Sequence, residues 1–383
     1  MSSMSANGLI AEVSLFAESC IATRPDLHQQ KDFPPDLWQE MAARDLMGII
    51  IPQEYGGRGC SYATLAACAT AMAETGGNQG VVMTWVGHNL NAALHLGAHG
   101  TPEQSQHWLP RIAKGDSSLT VAVSEPGAGA HPKHLKTSAV RQGDDYVLNG
   151  EKSYLTNGPL ADVFLVLAVT DQTNDRKSFS AFLVPRDTPG FVQTPGIEID
   201  FLHPSPHCGI RLEDCRVPAS NMVGAQGTAF EAISLTMRAV EDALSTASTV
   251  GAVRYLLNQL AKAAAPEALS REAIMALGTL ADQADLLARM SQVIAQELDQ
   301  HPDDPQRLMP LNAGFKTCLQ SLQSGIDDLK EANSLNFSGK LSGPGGLAYD
   351  AARRDIMKMS GIATTAYQVR ALKSGQAKLA KNQ

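Results

Sequence analysis

The 383-residue sequence has no apolar run of the about 18 residues that a membrane-crossing helix needs. It has no basic excess either: 31 Lys and Arg stand against 39 Asp and Glu, a formal net charge of −8. An electrostatic nucleic-acid binder needs a basic face, so that class is disfavoured. Charged residues make up only 18% of the chain and hydrophobic residues 44%. Such a chain can bury a large core and does not read as disordered. No two of the six cysteines (Cys20, Cys60, Cys68, Cys208, Cys215, Cys318) have CxxC spacing, so neither a zinc ribbon nor a thioredoxin-like site is supported. Scattered as they are, they read as small buried hydrophobes in a reducing compartment. The first twenty residues carry no basic n-region and no Arg-rich amphipathic pattern, so neither a signal nor a transit peptide is expected, and a cytoplasmic location is the reading.

What the chain does contain changes character twice. Residues 1–115 read as a helical domain, with Ala-rich amphipathic stretches at Leu37 to Met47, Tyr62 to Ala73 and Met83 to Leu96. Thr101-Pro102-Glu103-Gln104 is a helix start, and that helix is expected to run to Trp108, before Leu109-Pro110. Residues 116–225 are short β-branched and aromatic runs separated by Gly, Asn and Pro turns, the pattern of an antiparallel β domain. Residues 226–383 return to helical spacing: Ile274, Leu277, Leu280, Ala284, Leu287, Met290, Ile294 and Leu298 form one bundle-core stripe. A second long helix is expected from Pro310 to Leu335. Alternating βα units are absent, which disfavours a doubly wound fold. The fold class is thus α+β: helices, a β module, then helices.

Two segments carry candidate chemistry. Val123-Ser124-Glu125-Pro126-Gly127-Ala128-Gly129 runs from a strand into a Gly-rich turn, whose backbone N–H groups can hold a carbonyl, a ring edge or a phosphate. It lacks the βαβ setting of a dinucleotide fingerprint. Further on, the pairs Asn149-Gly150 and Asn157-Gly158 are expected to be turns flanking a short strand. On that strand Tyr154 and Thr156 alternate and so share a face, one supplying an aromatic surface and the other a hydroxyl. His131 and His134 fall on a loop with no carboxylate or Cys spaced to complete a metal site, so no metal is expected.

These segments, taken with Met47-Gly48-Ile49-Ile50-Ile51-Pro52-Gln53-Glu54-Tyr55-Gly56-Gly57, Gly100-Thr101-Pro102-Glu103-Gln104, Asn149-Gly150-Glu151-Lys152, Leu212-Glu213-Asp214-Cys215-Arg216-Val217-Pro218 and Arg354-Asp355, resemble the acyl-CoA dehydrogenase family over nearly the whole chain. The resemblance implies an N-terminal helical domain, a middle β domain and a C-terminal four-helix bundle, in a homodimer or homotetramer. It implies FAD, with Val123, Ser124, Gly129, Tyr154 (where the family usually has Trp), Thr156 and Thr365 at the cofactor. It also implies α,β-dehydrogenation of an acyl thioester, carried on CoA or on an acyl-carrier protein, with an electron-transfer flavoprotein or another acceptor taking the electrons.

The sequence departs from the family pattern at four places. The usual C-terminal Glu base, eight residues after the Arg-Asp pair, is Ala363. Some family branches put the base on the first bundle helix; one register places Glu241 there and the other Val240, and Glu241 is preferred as the catalytic residue. Arg238 is then the candidate for the substrate-side Arg, whose own place is taken by Asp242. The family's Arg-x-x-Phe-Gly is replaced by Lys262-Ala263-Ala264-Ala265-Pro266-Glu267, and a Ser-Asp pair beside the substrate by Ala130-His131. The losses on the CoA side favour an unusual acyl thioester. The alternatives are a non-catalytic thioester- or partner-binding subunit, or flavin-dependent oxygenation or elimination on the same substrate class.

Overall fold

The computed structural model describes residues 5–173, 176–263, 269–332 and 346–359. Five helices lead: α1 (Ala6–Phe16), α2 (Pro35–Ala43), α3 (Tyr62–Gly76), α4 (Gln79–His99) and α5 (Pro102–Ala113). Eight strands follow: β1 (Leu119–Ala122), β2 (Ser138–Gln142), β3 (Asp145–Thr156), β4 (Val163–Thr173), β5 (Arg176–Pro185), β6 (Phe191–Thr194), β7 (His207–Pro218) and β8 (Met222–Val223). The chain ends in α6 (Thr236–Ala263), α7 (Arg271–Gln300), α8 (Met309–Ala332) and a helical stretch over 346–359. The expected order of helices, sheet and helices is what forms.

By compactness the chain groups into two units. One comprises 1–28, 62–79 and 241–383, the other 29–61 and 80–240. In the first, the long helices pack through small groups and shared hydroxyls. The Asp299 carboxylate on α7 accepts the first N–H groups of α3, from Tyr62 at 2.7 Å and Ala63 at 3.0 Å, satisfying donors that a helix start leaves open. Gly251 on α6 lets the α3 backbone approach; a Cβ there would meet the Thr70 carbonyl oxygen at 2.3 Å. The α7 stripe is buried at Leu280, Ala284, Leu287, Ile294 and Leu298, but Ile274 is 52% exposed, and in the first turn its neighbour Ala273 is buried instead.

The second unit is built on the sheet, in the order β6-β7-β3-β2-β4-β5-β8, with β1 beside β4. Most pairings are antiparallel, as expected, but β1 runs parallel to β4, and β2 meets β4 in a parallel pairing at Ser138 and Val169. β4 explains why the sheet holds two cores. Val163, Leu165 and Leu167 face one way, into a cluster with Ala92 and Leu96 of α4 and Leu109 and Ile112 of α5. Phe164, Val166 and Ala168 face the other, with Phe182, Ile210 and Leu212. A strand buried on both faces reads as a continuous apolar run, and each such side chain contributes about 1.5–3 kcal/mol. Cys68, Cys208 and Cys215 are buried free thiols, as expected; Cys318 is exposed, because it lies on the outer face of α8.

Two local expectations are corrected. α5 does not stop at Trp108: it runs through Pro110 to Ala113. A complete capping box at Thr101 and Gln104 starts it, and burial of Leu109, Ile112 and Ala113 on either side of Pro110 outweighs the lost hydrogen bond. Nor is Asn149-Gly150 a turn. β3 continues through it, and the pair marks a register shift against β7 between Leu148 and Gly150. Gly150 has φ +147°, and a Cβ there would meet Thr137 Oγ1 at 2.6 Å. Asn149 fastens the bulge by accepting the Asp214 N–H at 2.8 Å and donating to its carboxylate at 3.1 Å. Gly150→Ala therefore lowers stability by about 1–3 kcal/mol, read as a reduced urea midpoint with an unchanged m value.

Candidate functional site

The strand that the sequence places before the Gly-rich turn is β1, and the turn itself closes on its own backbone. Glu125 N–H donates to the Gly129 carbonyl at 3.0 Å, and Gly129 N–H returns to the Glu125 carbonyl at 3.1 Å. Gly127 and Gly129 both have positive φ, +71° and +55°, so glycine is what permits the bend. Gly129 thus shapes the turn and spends its N–H inside it. Among the described residues, no atom beyond the chain neighbours lies within 4 Å of a Cβ built on either glycine, so they leave that flank of the turn open.

Beneath the turn sits a buried ion pair. Lys152, on β3, is 2% exposed; its ammonium donates to the Glu125 carboxylate at 2.9 Å and to the Val123 carbonyl at 3.1 Å. Glu125 also accepts the backbone N–H groups of Lys136 (2.6 Å) and Thr137 (2.9 Å). Burial pulls the Lys152 amine down to about 8, against the opposing pull of Glu125. Burial pushes the Glu125 carboxyl up, but the Lys152 charge, with hydrogen bonds from Thr137 and Lys152, outweighs it and holds the group below its ordinary value. The pair thus ties the turn to β3, and Ser153 N–H adds a bond to the Ser124 carbonyl at 2.8 Å.

Immediately beyond that tie, β3 slips register again between Lys152 and Leu155, and Tyr154 takes φ +62°. Simple alternation is therefore broken between Tyr154 and Thr156. They still share a side, because both meet His207 at the start of β7. The Tyr154 and His207 rings lie 5.1 Å apart, and Thr156 Oγ1 is 3.1 Å from His207 Nε2. His207 Nδ1 lies 3.0 Å from the Ser205 carbonyl. The Tyr154 ring remains 36% exposed, and the burial it does have raises its phenol pKa. β3 is anchored past Thr156 by Asn157, whose N–H donates to the Pro206 carbonyl at 2.9 Å and whose amide donates to the Thr84 carbonyl at 2.8 Å.

Val123, Ser124, Gly129, Tyr154 and Thr156 are thus brought together, with half-buried Ala130 following directly on the turn. A flat heteroaromatic ring fits what they present: an open glycine flank, an exposed aromatic face and a hydroxyl beside it. Arg238 and Glu241 lie in the first turns of α6, both exposed, while Val240, the competing register, is buried. Asp242 pairs with Lys316 at 3.7 Å. Thr365, Ala363 and residues 264–267 lie outside the described residues. Sequence reasoning missed the Glu125–Lys152 pairing and His207, although it quoted both members of the ion pair. A cavity of about 220 Å³ lined by Phe33, Trp38 and Ser118 among others includes none of these site residues.

Residues 6–116 match the model for the acyl-CoA dehydrogenase N-terminal domain and residues 120–215 that for the acyl-CoA dehydrogenase middle domain, together more than half of the chain. The chain belongs to the acyl-CoA dehydrogenase family. It is 35% identical over 219 residues to the mitochondrial 2-methylacyl-CoA dehydrogenase of Solanum tuberosum, covering 56% of this chain and 52% of that protein. The match therefore spans about half the length of that curated relative. Among solved structures, this family member superposes on butyryl-CoA dehydrogenase from Megasphaera elsdenii with a TM-score of 0.82 at 19% identity, covering 98% of each chain. It superposes on the prolyl acyl carrier protein oxidase AnaB with a TM-score of 0.77 at 22% identity, covering 93% of this chain and 97% of that one. These two likenesses show the fold.

Two expected outcomes test the ion pair. Lys152→Met strands a buried carboxylate and lowers stability by about 3–5 kcal/mol; urea titrations of the wild type and the variant measure it. The pH dependence has a defined sign. Between about 8 and the ordinary 10.5 the unfolded chain holds the Lys152 proton and the folded chain does not, so the stability of the wild type rises with pH relative to Lys152→Met across that window. Glu125 acts at the other end: its contribution is present above 4.5 and is lost as pH falls through the lowered folded value.

Proposed function

We propose that this protein is an FAD-dependent flavoprotein oxidoreductase that acts on the CH–CH bond of an acyl thioester. The observation that carries the reading is the juxtaposition of the exposed Tyr154 ring, the Thr156 hydroxyl and the open 124–129 turn within a chain of this family. Val123, Ser124, Tyr154 and Thr156 would hold the cofactor; Thr365, expected to join them, lies outside the described residues. FAD, when bound, supplies the two-electron acceptor for the hydrogen leaving the β-carbon.

The chain must then supply a base for the α-proton. Ala363 cannot take a proton, so the role falls to the Glu241 carboxylate on α6, with Arg238 one turn earlier on the substrate side. An α-proton is too weakly acidic for an unaided carboxylate, so the thioester carbonyl needs hydrogen-bond donors in a site from which water is excluded. The substrate we favour is carried by an acyl-carrier protein rather than by CoA. Asp242 stands where the family pattern has an Arg on the CoA side, and a protein of the same fold is named a prolyl acyl carrier protein oxidase. An electron-transfer flavoprotein or an equivalent acceptor receives the electrons, and the assembly is a homodimer or homotetramer in the cytoplasm.

The decisive experiment mixes the purified, flavin-loaded protein with panels of acyl-CoA and acyl-carrier substrates and follows bleaching of the flavin absorbance. Reduction by a carrier-bound acyl group supports the reading. Reduction by neither panel favours the alternative that Ala363 raises, a non-catalytic thioester-binding subunit. Glu241→Gln is expected to slow reduction by about 10²–10⁴-fold with the flavin spectrum unchanged.

A further inference from the structure

The hydrogen bonds around His207 fix the direction of the Thr156 hydroxyl. The Ser205 carbonyl, 3.0 Å from His207 Nδ1, can only accept, so Nδ1 carries the proton. Burial lowers the His207 pKa, with the Ser205 hydrogen bond opposing it and nearby His203 reinforcing it, so the ring is neutral and Nε2 is a bare acceptor. At 3.1 Å from Nε2, the Thr156 oxygen must then be the donor. Its one proton is committed to His207, and its remaining capacity toward anything docked against β3 is as an acceptor. Tyr154, packed at 5.1 Å on the imidazole, restrains ring rotation, and the Thr156 backbone carbonyl is itself held by Thr120 Oγ1 at 2.6 Å.

We propose that His207 is a positioning residue: by taking the Thr156 proton it makes the Thr156 oxygen an acceptor only, and so biases the site toward a flavin whose facing edge carries an N–H, the reduced form. An oxidised flavin, with a bare nitrogen in place of that N–H, would gain nothing from a second acceptor. This inference rests on the flavin reading of the site.

The test is the midpoint potential of the bound flavin, measured by dye equilibration above the ordinary imidazole pKa. One well-formed hydrogen bond is worth about a tenfold preference, which for a two-electron couple is about 30 mV. His207→Phe, which frees the hydroxyl to donate, is expected to lower the potential by about that amount. Thr156→Val is expected to lower it similarly, and His207→Phe added to Thr156→Val to change it no further. His207→Gln, which keeps an acceptor near the Nε2 position, is expected to retain the wild-type value. If His207→Phe does not fold, the Thr156→Val and His207→Gln values decide the matter. A potential unchanged in Thr156→Val, or lowered equally by His207→Phe with and without the hydroxyl, overturns the proposal while leaving the flavin reading intact. Failure of the wild-type protein to bind FAD overturns both.

Discussion

Lys152 is enclosed in the β layer, and a lone ammonium there would cost several kcal/mol in lost hydration. Its partner, Glu125, belongs to the glycine turn that borders the candidate cofactor site. The chemistry of the pair therefore sets the geometry around it. The ammonium draws the Val123 carbonyl and the Glu125 carboxylate to one point, and the carboxylate in turn gathers the N–H groups of Lys136 and Thr137. The loop is thereby held at both ends. The value lies less in net stability than in a single arrangement of the turn, since a buried pair is costly to break and not always cheap to make.

From that tie outward, each feature of the site follows from an irregularity in β3. The bulge at Gly150 and the second slip after Lys152 let one strand bury a charge and then turn the Tyr154 ring outward. A regular strand would put every second side chain on the same face and could not do both over so short a span. Bulges beside active sites re-aim side chains in this way. His207, 51 residues away in sequence, then closes the arrangement by fixing the Thr156 hydroxyl.

The fold was largely legible because its signals are local. The helical spacing of α3, α4, α7 and α8 and the β-branched runs of β4 and β5 stand within a few residues of where the sequence put them. Pro110 misled because propensity is local while the burial of Leu109 and Ile112 is not. Asn149-Gly150 misled because the same dipeptide suits a tight turn and a bulge, and only the approach of Thr137 distinguishes them. At the site, the turn and the Tyr154–Thr156 segment were visible as composition, whereas His207 was not: nothing in its own neighbourhood points to a partner 51 residues earlier.

The sequence alone determined the order of helices and sheet, the family, the glycine turn and the residue types offered to a cofactor. These depend on side-chain period, backbone freedom and motif spacing, all properties of neighbouring residues. Tertiary structure decided which charges are buried together, which way Tyr154 faces and which atom holds the Thr156 proton. Those depend on groups brought together across the sheet, where exclusion of water makes each unpaired donor or charge costly and leaves one pairing favoured.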